Sequence, residues 1–257
     1  MSTMSDKLRH IFMVLLTVVF CISVFHFGKA FLEYRKGDQI YESAKEFVVT
    51  AEAPVKREEE ETVLKRTHTE IDFEGMRAVN EDVIGWIQIL NSPVDYPLLN
   101  ATDNQYYLNH TYDRQWSSYG SIFLEPRNHS DLSEKHLVIY GHNMVNESMF
   151  GSLPEYKHQE YADSHPEITI CMPDRDLTYR VFSAYTAHVD SVTYRMSFQN
   201  DASFVEMANY MKENSVIHHD IMPEAGDQIL TLSTCTPEGA KKYRFVVNAV
   251  LVADSSK

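Results

Sequence analysis

The chain has 257 residues, 44% of them hydrophobic and 23% charged, which leaves room for one or two domains around a sizeable core. Its 9 Gly, 9 Pro, 13 Phe and 15 Tyr exclude low-complexity and disordered classes. Lys and Arg total 23 against 37 Asp and Glu, a formal charge of −14; such a chain has no field to gather phosphate backbones, so no nucleic-acid partner is expected, and its 3 cysteines are too few for a disulfide scaffold.

Residues 11–27 read IFMVLLTVVFCISVFHF. At 1.5 Å per residue this run spans about 25 Å, and continuing through Leu32, with Lys29 free to snorkel, covers the ~30 Å core of a bilayer. Lys7 and Arg9 precede the run, so residues 1–10 read as a cytoplasmic tail and 11–32 as a single-pass signal-anchor in the cell membrane. A cleaved signal peptide would share these features, but the apolar run is long for one. A lipid-modified Cys21 would need a small residue before it, and Phe20 stands there. On either reading the rest of the chain lies outside the cytoplasm.

Residues 33–69 are polar, helix-prone and rich in paired charges, with no wide apolar stripe, and read as a juxtamembrane stalk, solvated or helical. Residues 70–257 form the exported domain. Ile71, Phe73, Met76, Val79 and Val83 recur near helical spacing and predict a short helix packed on the rest of that domain. Eight short apolar runs come next: 84–90, 94–98, 121–124, 136–140, 167–172, 178–187, 228–234 and 243–253. Their β-branched and aromatic content predicts a mainly β fold, a barrel or a sandwich. One helix interrupts the series. Ser203 and Glu206 have capping-box spacing, and Phe204, Met207, Ala208 and Met211 share a face.

Cys235 ends the run Ile229-Leu230-Thr231-Leu232-Ser233-Thr234-Cys235. Alternation places Leu230, Leu232 and Thr234 on one face and Thr231, Ser233 and Cys235 on the other. A cysteine at the polar end of a buried strand is held rigidly yet reaches solvent, as a nucleophile must; a free core cysteine would read the same way. Cys21 and Cys171 read as packing residues, and a Cys171–Cys235 disulfide stays open. His142 comes after the strand Leu137-Val138-Ile139-Tyr140 and Gly141, where a ring is presented at a strand end. The pair His218-His219 lacks the partners of a zinc site. Arg244 sits in a strand otherwise suited to burial, a costly place for a guanidinium unless it is paired or faces a site. The short connection from Cys235 to Arg244 predicts a hairpin that brings the two side chains together. Asp174, Arg175 and Asp176 read as a solvated turn.

Thr231-Leu232-Ser233-Thr234-Cys235 with Arg244 downstream, and Tyr140-Gly141-His142-Asn143-Met144 upstream, resemble the sortase family of cysteine transpeptidases. Asp82-Val83-Ile84-Gly85-Trp86-Ile87, Val94-Asp95-Tyr96-Pro97, Met149-Phe150-Gly151-Ser152-Leu153 and the helix-bearing insert at 195–222 are similar to its class B branch. The resemblance covers about residues 70–253. It implies a closed eight-stranded β-barrel with N-terminal helices and the insert before the penultimate strand. It also implies Cys235 as nucleophile, His142 as acid/base and Arg244 as clamp, with Ser233, Thr234, Asn143 and Thr236 touching substrate, the last through its backbone N–H. The implied partners are secreted proteins bearing a C-terminal sorting signal and a peptidoglycan precursor amine of the lipid II type. No metal and no cofactor are expected. Two other readings are a class B-like enzyme that polymerises pilins and a non-catalytic, membrane-tethered β-domain that binds peptide or glycan. A surface glycoprotein is a further one, with sequons at Asn100, Asn109, Asn128 and Asn146.

Overall fold

The computed structural model describes residues 2–50, 69–236 and 241–256. The first element, α1 (Ser2–Ala44), is one unbroken helix. It carries the whole apolar run on its exposed surface and is long and apolar enough to cross a membrane. A 3-10 turn (Lys45–Phe47) comes next, then a two-stranded antiparallel sheet of β1 (Val48–Thr50) and β2 (Thr69–Ile71). The short helix α2 (Phe73–Val79) is capped by Asp72, whose side chain accepts from the Gly75 N–H. Phe73 and Met76 face inward, while Val79 is exposed and Val83 already belongs to the next strand.

The eight runs of the barrel are β3 (Val83–Gln88), β4 (Asp95–Asn100), β5 (Ile122–Leu124), β6 (His136–Tyr140), β7 (Glu167–Cys171), β8 (Arg175–His188), β9 (Ile229–Cys235) and β10 (Tyr243–Ser256). A small helix, α3 (Gln159–Ser164), lies between β6 and β7. The larger α4 (Asp201–Glu213) lies between β8 and β9. The strands close in the order β10-β8-β7-β3-β4-β5-β6-β9. Closure leaves the barrel no free edge, and every expected run pairs on both sides. Two pairings are parallel, β4 with β5 and β6 with β9. The second of these seats the site.

Alternation along β9 holds. Leu230 and Leu232 join Phe245, Val247 and Ala249 in the barrel interior. Ile229 joins Val246 and Val250 on the outer wall, covered by Phe204, Met207, Ala208 and Met211 of α4. These four helix residues are the face expected from their spacing. The cap lies three residues earlier than expected. Asn200 accepts from the Ser203 N–H at 3.0 Å, and Glu206 pairs instead with Arg195 at 2.9 Å.

The polar segment after the apolar run is helical to Ala44, as expected, but it is not solvated throughout. Ile40, Tyr41 and Ala44 are buried against the barrel, and the Tyr41 hydroxyl donates to the Gly120 carbonyl. The docking uses two tyrosines, Tyr34 and Tyr41, one aliphatic and small residues among charges, so no apolar stripe announces it. Residues 51–68 of that segment lie outside the described residues.

Candidate active site

β6 and β9 run side by side in parallel with Tyr140 opposite Ser233. Their C-terminal ends therefore open at the same rim of the barrel. Past that rim, three hydrogen bonds hold the two chain segments in register. The Gly141 N–H donates to the Ser233 carbonyl at 3.3 Å, and the Thr234 hydroxyl to the Gly141 carbonyl at 2.8 Å. The Asn143 amide donates to the Cys235 carbonyl at 2.8 Å. Gly141 must be glycine, because a Cβ there would come within 2.7 Å of the Phe150 ring.

His142 lies at this rim with its Nε2 2.7 Å from the Leu108 carbonyl. A carbonyl can only accept, so Nε2 carries the proton and Nδ1 is the nitrogen of a neutral ring that can take one. On the other side of β9, Arg244 is the cross-strand partner of Cys235. Directly opposed residues hold their Cβ atoms about 4.5–5.5 Å apart, so the guanidinium projects from beside the sulfur. Arg244 Nη1 donates to the Tyr243 carbonyl at 2.9 Å, which braces the side chain.

These residues meet in a cleft of about 390 Å³. Cys235, His142 and Arg244 all line it, with Ser233 and Thr234 in the wall behind them. Cys235 is half-buried and Cys171, on β7, is buried; both are free thiols, so the disulfide left open by the sequence is not formed. Asn143 and Thr236 are not among the lining residues. The amide of Asn143 is spent on the backbone of Cys235, and Thr236 is buried with its hydroxyl 3.5 Å from the Tyr243 carbonyl.

Two features escaped the sequence. Tyr194 lies in a 3-10 turn after β8 and roofs the cleft, its hydroxyl 2.9 Å from Ser233 Oγ. Burial pushes the phenol up to about 12, opposed by the Ser233 bond and by the nearby Arg244 charge. It stays neutral and acts as a hydrogen-bonding group. The cleft is also lined by Glu125, 2% exposed, which accepts from Arg127 Nε at 2.7 Å and from the Tyr140 hydroxyl at 2.8 Å. Burial pushes this carboxyl up, but the hydrogen bonds outweigh it and hold the group below the ordinary range. A lone Tyr in a loop and a Glu after a short strand carry no pattern of their own. An acid just past a buried strand, with an Arg two residues on, was the available signal.

Among the described residues, one group has metal-ligand chemistry: His129, Asp131 and Glu134 on the β5–β6 loop. None of the three lines the cleft, and His129 is paired with Glu134 at 2.8 Å. Asn128, on the same loop, is buried and donates to the His136 carbonyl, so it is no glycan acceptor in the folded chain.

A thiol, an imidazole with one free nitrogen and a fixed guanidinium in one cleft are the parts of acyl transfer through a thioester. The sortase domain model matches residues 87–252. The chain is 31% identical to sortase B of Listeria monocytogenes over 182 residues, covering 70% of this chain and 74% of that protein. A Staphylococcus aureus sortase B–substrate complex superposes with a TM-score of 0.66 at 31% identity, over 70% of this chain and 84% of that one. A sortase B from Bacillus anthracis, solved in complex with AAEK1, gives a TM-score of 0.72 at 28% identity, over 86% and 99% of the two chains. With its closed barrel, its insert and its cysteine–histidine–arginine cleft, the chain belongs to the sortase family of cysteine transpeptidases and groups with class B.

Proposed function

We propose that this sortase cleaves a C-terminal sorting signal after threonine and joins the threonyl carbonyl to an amine of a cell-wall precursor, so anchoring secreted proteins to peptidoglycan. The observation that carries the reading is the convergence of Cys235, His142 and Arg244 on one cleft.

In the first half-reaction the Cys235 thiolate adds to the threonyl carbonyl, forming a C–S bond and a tetrahedral oxyanion. Arg244, charged at every working pH, supplies hydrogen bonds and positive potential to that oxygen, with the Thr236 N–H as a second donor. The C–N bond then breaks and the protonated His142 gives its proton to the departing amine. The thioester remains. In the second half-reaction the neutral His142 takes a proton from the incoming amine as its nitrogen attacks the same carbon. Sulfur leaves as thiolate and a new amide is released. Ser233 and Thr234 form the wall along which the signal lies.

The apolar helix α1 serves as a single-pass anchor with residues 1–10 in the cytoplasm and the barrel outside. Lys7 and Arg9 support that orientation. Incubating the chain with a peptide bearing a Thr-containing sorting motif and an oligoglycine or diamino-acid amine tests the whole reading. The expected product is the N-terminal fragment joined to the amine, identified by mass. Cleavage at another bond, or hydrolysis with no joining at saturating amine, overturns it.

A further inference from the structure

We propose that the barrel rests directly on the membrane, with Trp116 and Val145 seated in the lipid headgroup layer. The inference rests on the reading of residues 11–32 as a membrane span. The apolar run of α1 ends at Leu32, and contacts with the barrel begin at the next residue. Glu33 Oε1 accepts from the Ser118 N–H at 3.3 Å. Tyr34 packs edge-on against the Tyr119 ring, with centroids 5.6 Å apart. Gly37 lies so close that a Cβ would come within 2.6 Å of that ring, and Asp38 accepts from the Tyr119 hydroxyl at 2.6 Å. No spacer separates the span from the fold.

The height of these contacts comes from helix geometry. The hydrocarbon core takes about 20 residues, and the headgroup layer adds roughly 5–7 Å on each side, about four residues at 1.5 Å each. Glu33 to Lys36 therefore cross the headgroup layer, and the loop holding Ser118 and Tyr119 lies at the same level. Trp116 is two residues from Ser118. Val145 precedes Asn146, whose amide donates to the Tyr119 hydroxyl at 2.7 Å. Both residues thus lie within two positions of groups that meet α1 or the tyrosine that grips it.

They are also the two most exposed large apolar side chains among the described residues outside α1, at 63% for Trp116 and 93% for Val145. In bulk water that exposure gains nothing. A tryptophan at headgroup level places its apolar rings against lipid while its N–H stays wet, which is why the residue collects at membrane interfaces. Arg35 and Lys36 are exposed at the same height and offer positive charge to anionic lipid on the side where an otherwise acidic chain meets the membrane. Val145 lies on the loop after β6 that also carries His142. The histidine rim of the cleft is therefore held near the bilayer, within reach of an acceptor amine carried by a membrane lipid.

Tryptophan fluorescence tests this, because the chain has only 2 tryptophans and Trp86 is 2% exposed inside the barrel, bonded to Asp95. The full chain is reconstituted into phosphatidylglycerol–phosphatidylethanolamine vesicles, with and without acyl chains brominated near the headgroup. The expected result is a loss of about a third or more of the emission in brominated vesicles, since an interfacial indole sits beside those carbons. That loss disappears in Trp116→Phe and shrinks at least about twofold in Val145→Asp. Equal quenching of wild type and Trp116→Phe overturns the proposal, as does unhindered quenching of Trp116 by aqueous iodide. If the chain floats with the vesicles and Trp116 stays unquenched, the anchor stands and this inference falls. If it fails to float, both fall.

Discussion

Acid should weaken this fold through a histidine that takes no part in the chemistry. His136 opens β6 and is fully buried. Its Nδ1 lies 2.9 Å from the Arg195 carbonyl, and its Nε2 lies 2.8 Å from the Thr231 hydroxyl on β9. That hydroxyl in turn donates to Asn248 Oδ1 on β10 at 2.8 Å. The Arg195 carbonyl accepts the Nδ1 proton, so Nε2 is unprotonated in the neutral ring. Burial pushes the imidazole down to about 4 from its ordinary 6.5, against the pull of the Arg195 carbonyl. Between those two pH values the unfolded chain binds a proton that the folded chain refuses. The contribution of the neutral ring is therefore complete above pH 6.5 and is lost as pH falls towards 4. At about 1.4 kcal/mol per pH unit, that loss comes to about 3 kcal/mol. Urea unfolding of wild type and His136→Gln at a series of pH values between 7.5 and 4 isolates it, because the carboxylates common to both proteins cancel. Wild type should lose about 3 kcal/mol more than the variant, with an unchanged dependence on urea. Parallel loss in the two proteins would refute the reasoning. The seam matters for function too, since β6 and β9 carry His142 and Cys235 at their far ends.

Three substitutions probe the site itself. Thr234→Val removes the bond to the Gly141 carbonyl and should cost about 1–2 kcal/mol of stability; because that bond sets the His142 segment against Cys235, kcat should fall more than KM in a peptide-cleavage assay. Arg244→Lys should lower kcat/KM at least about tenfold with little change in Tm, since an ammonium lacks the planar fork. Gly120 has φ +57°, and a Cβ there would stand 2.7 Å from the Leu108 carbonyl that holds His142; Gly120→Ala should cost about 1–3 kcal/mol and lower activity further than that loss of stability explains, measured on the folded fraction.

Most of the barrel was legible because its runs are short, apolar and separated by turn residues. Period-two alternation in β9 also separated its two faces before any pairing was known. The adjacency of Cys235 and Arg244 comes from a hairpin, a local relation that spacing can express. The position of His142 rested on motif resemblance, since only the parallel β6–β9 pairing brings residues so far apart in the chain to one rim. Tyr194 was invisible for the same reason, since its partner Ser233 is supplied by tertiary structure alone; Glu125 left only the weak local signal of Arg127 two residues on. The docking of α1 was missed because Tyr41 and Gly37 act by a hydroxyl bond and a close approach, which leave no apolar stripe. The α4 cap was displaced because Ser203 serves as the third helical residue of a capping box begun by Asn200, and both sequences look alike at that spacing.

The central claim, that the Cys235 sulfur carries the acyl group, is tested most directly by intact-protein mass spectrometry. The enzyme is mixed with a sorting-signal peptide in the absence of amine. A hydroxylamine-labile adduct equal to the N-terminal fragment less one water, mapped to Cys235 and missing from Cys235→Ala, is the predicted result. Turnover retained by Cys235→Ala, or an adduct mapped to any other residue, would contradict the account.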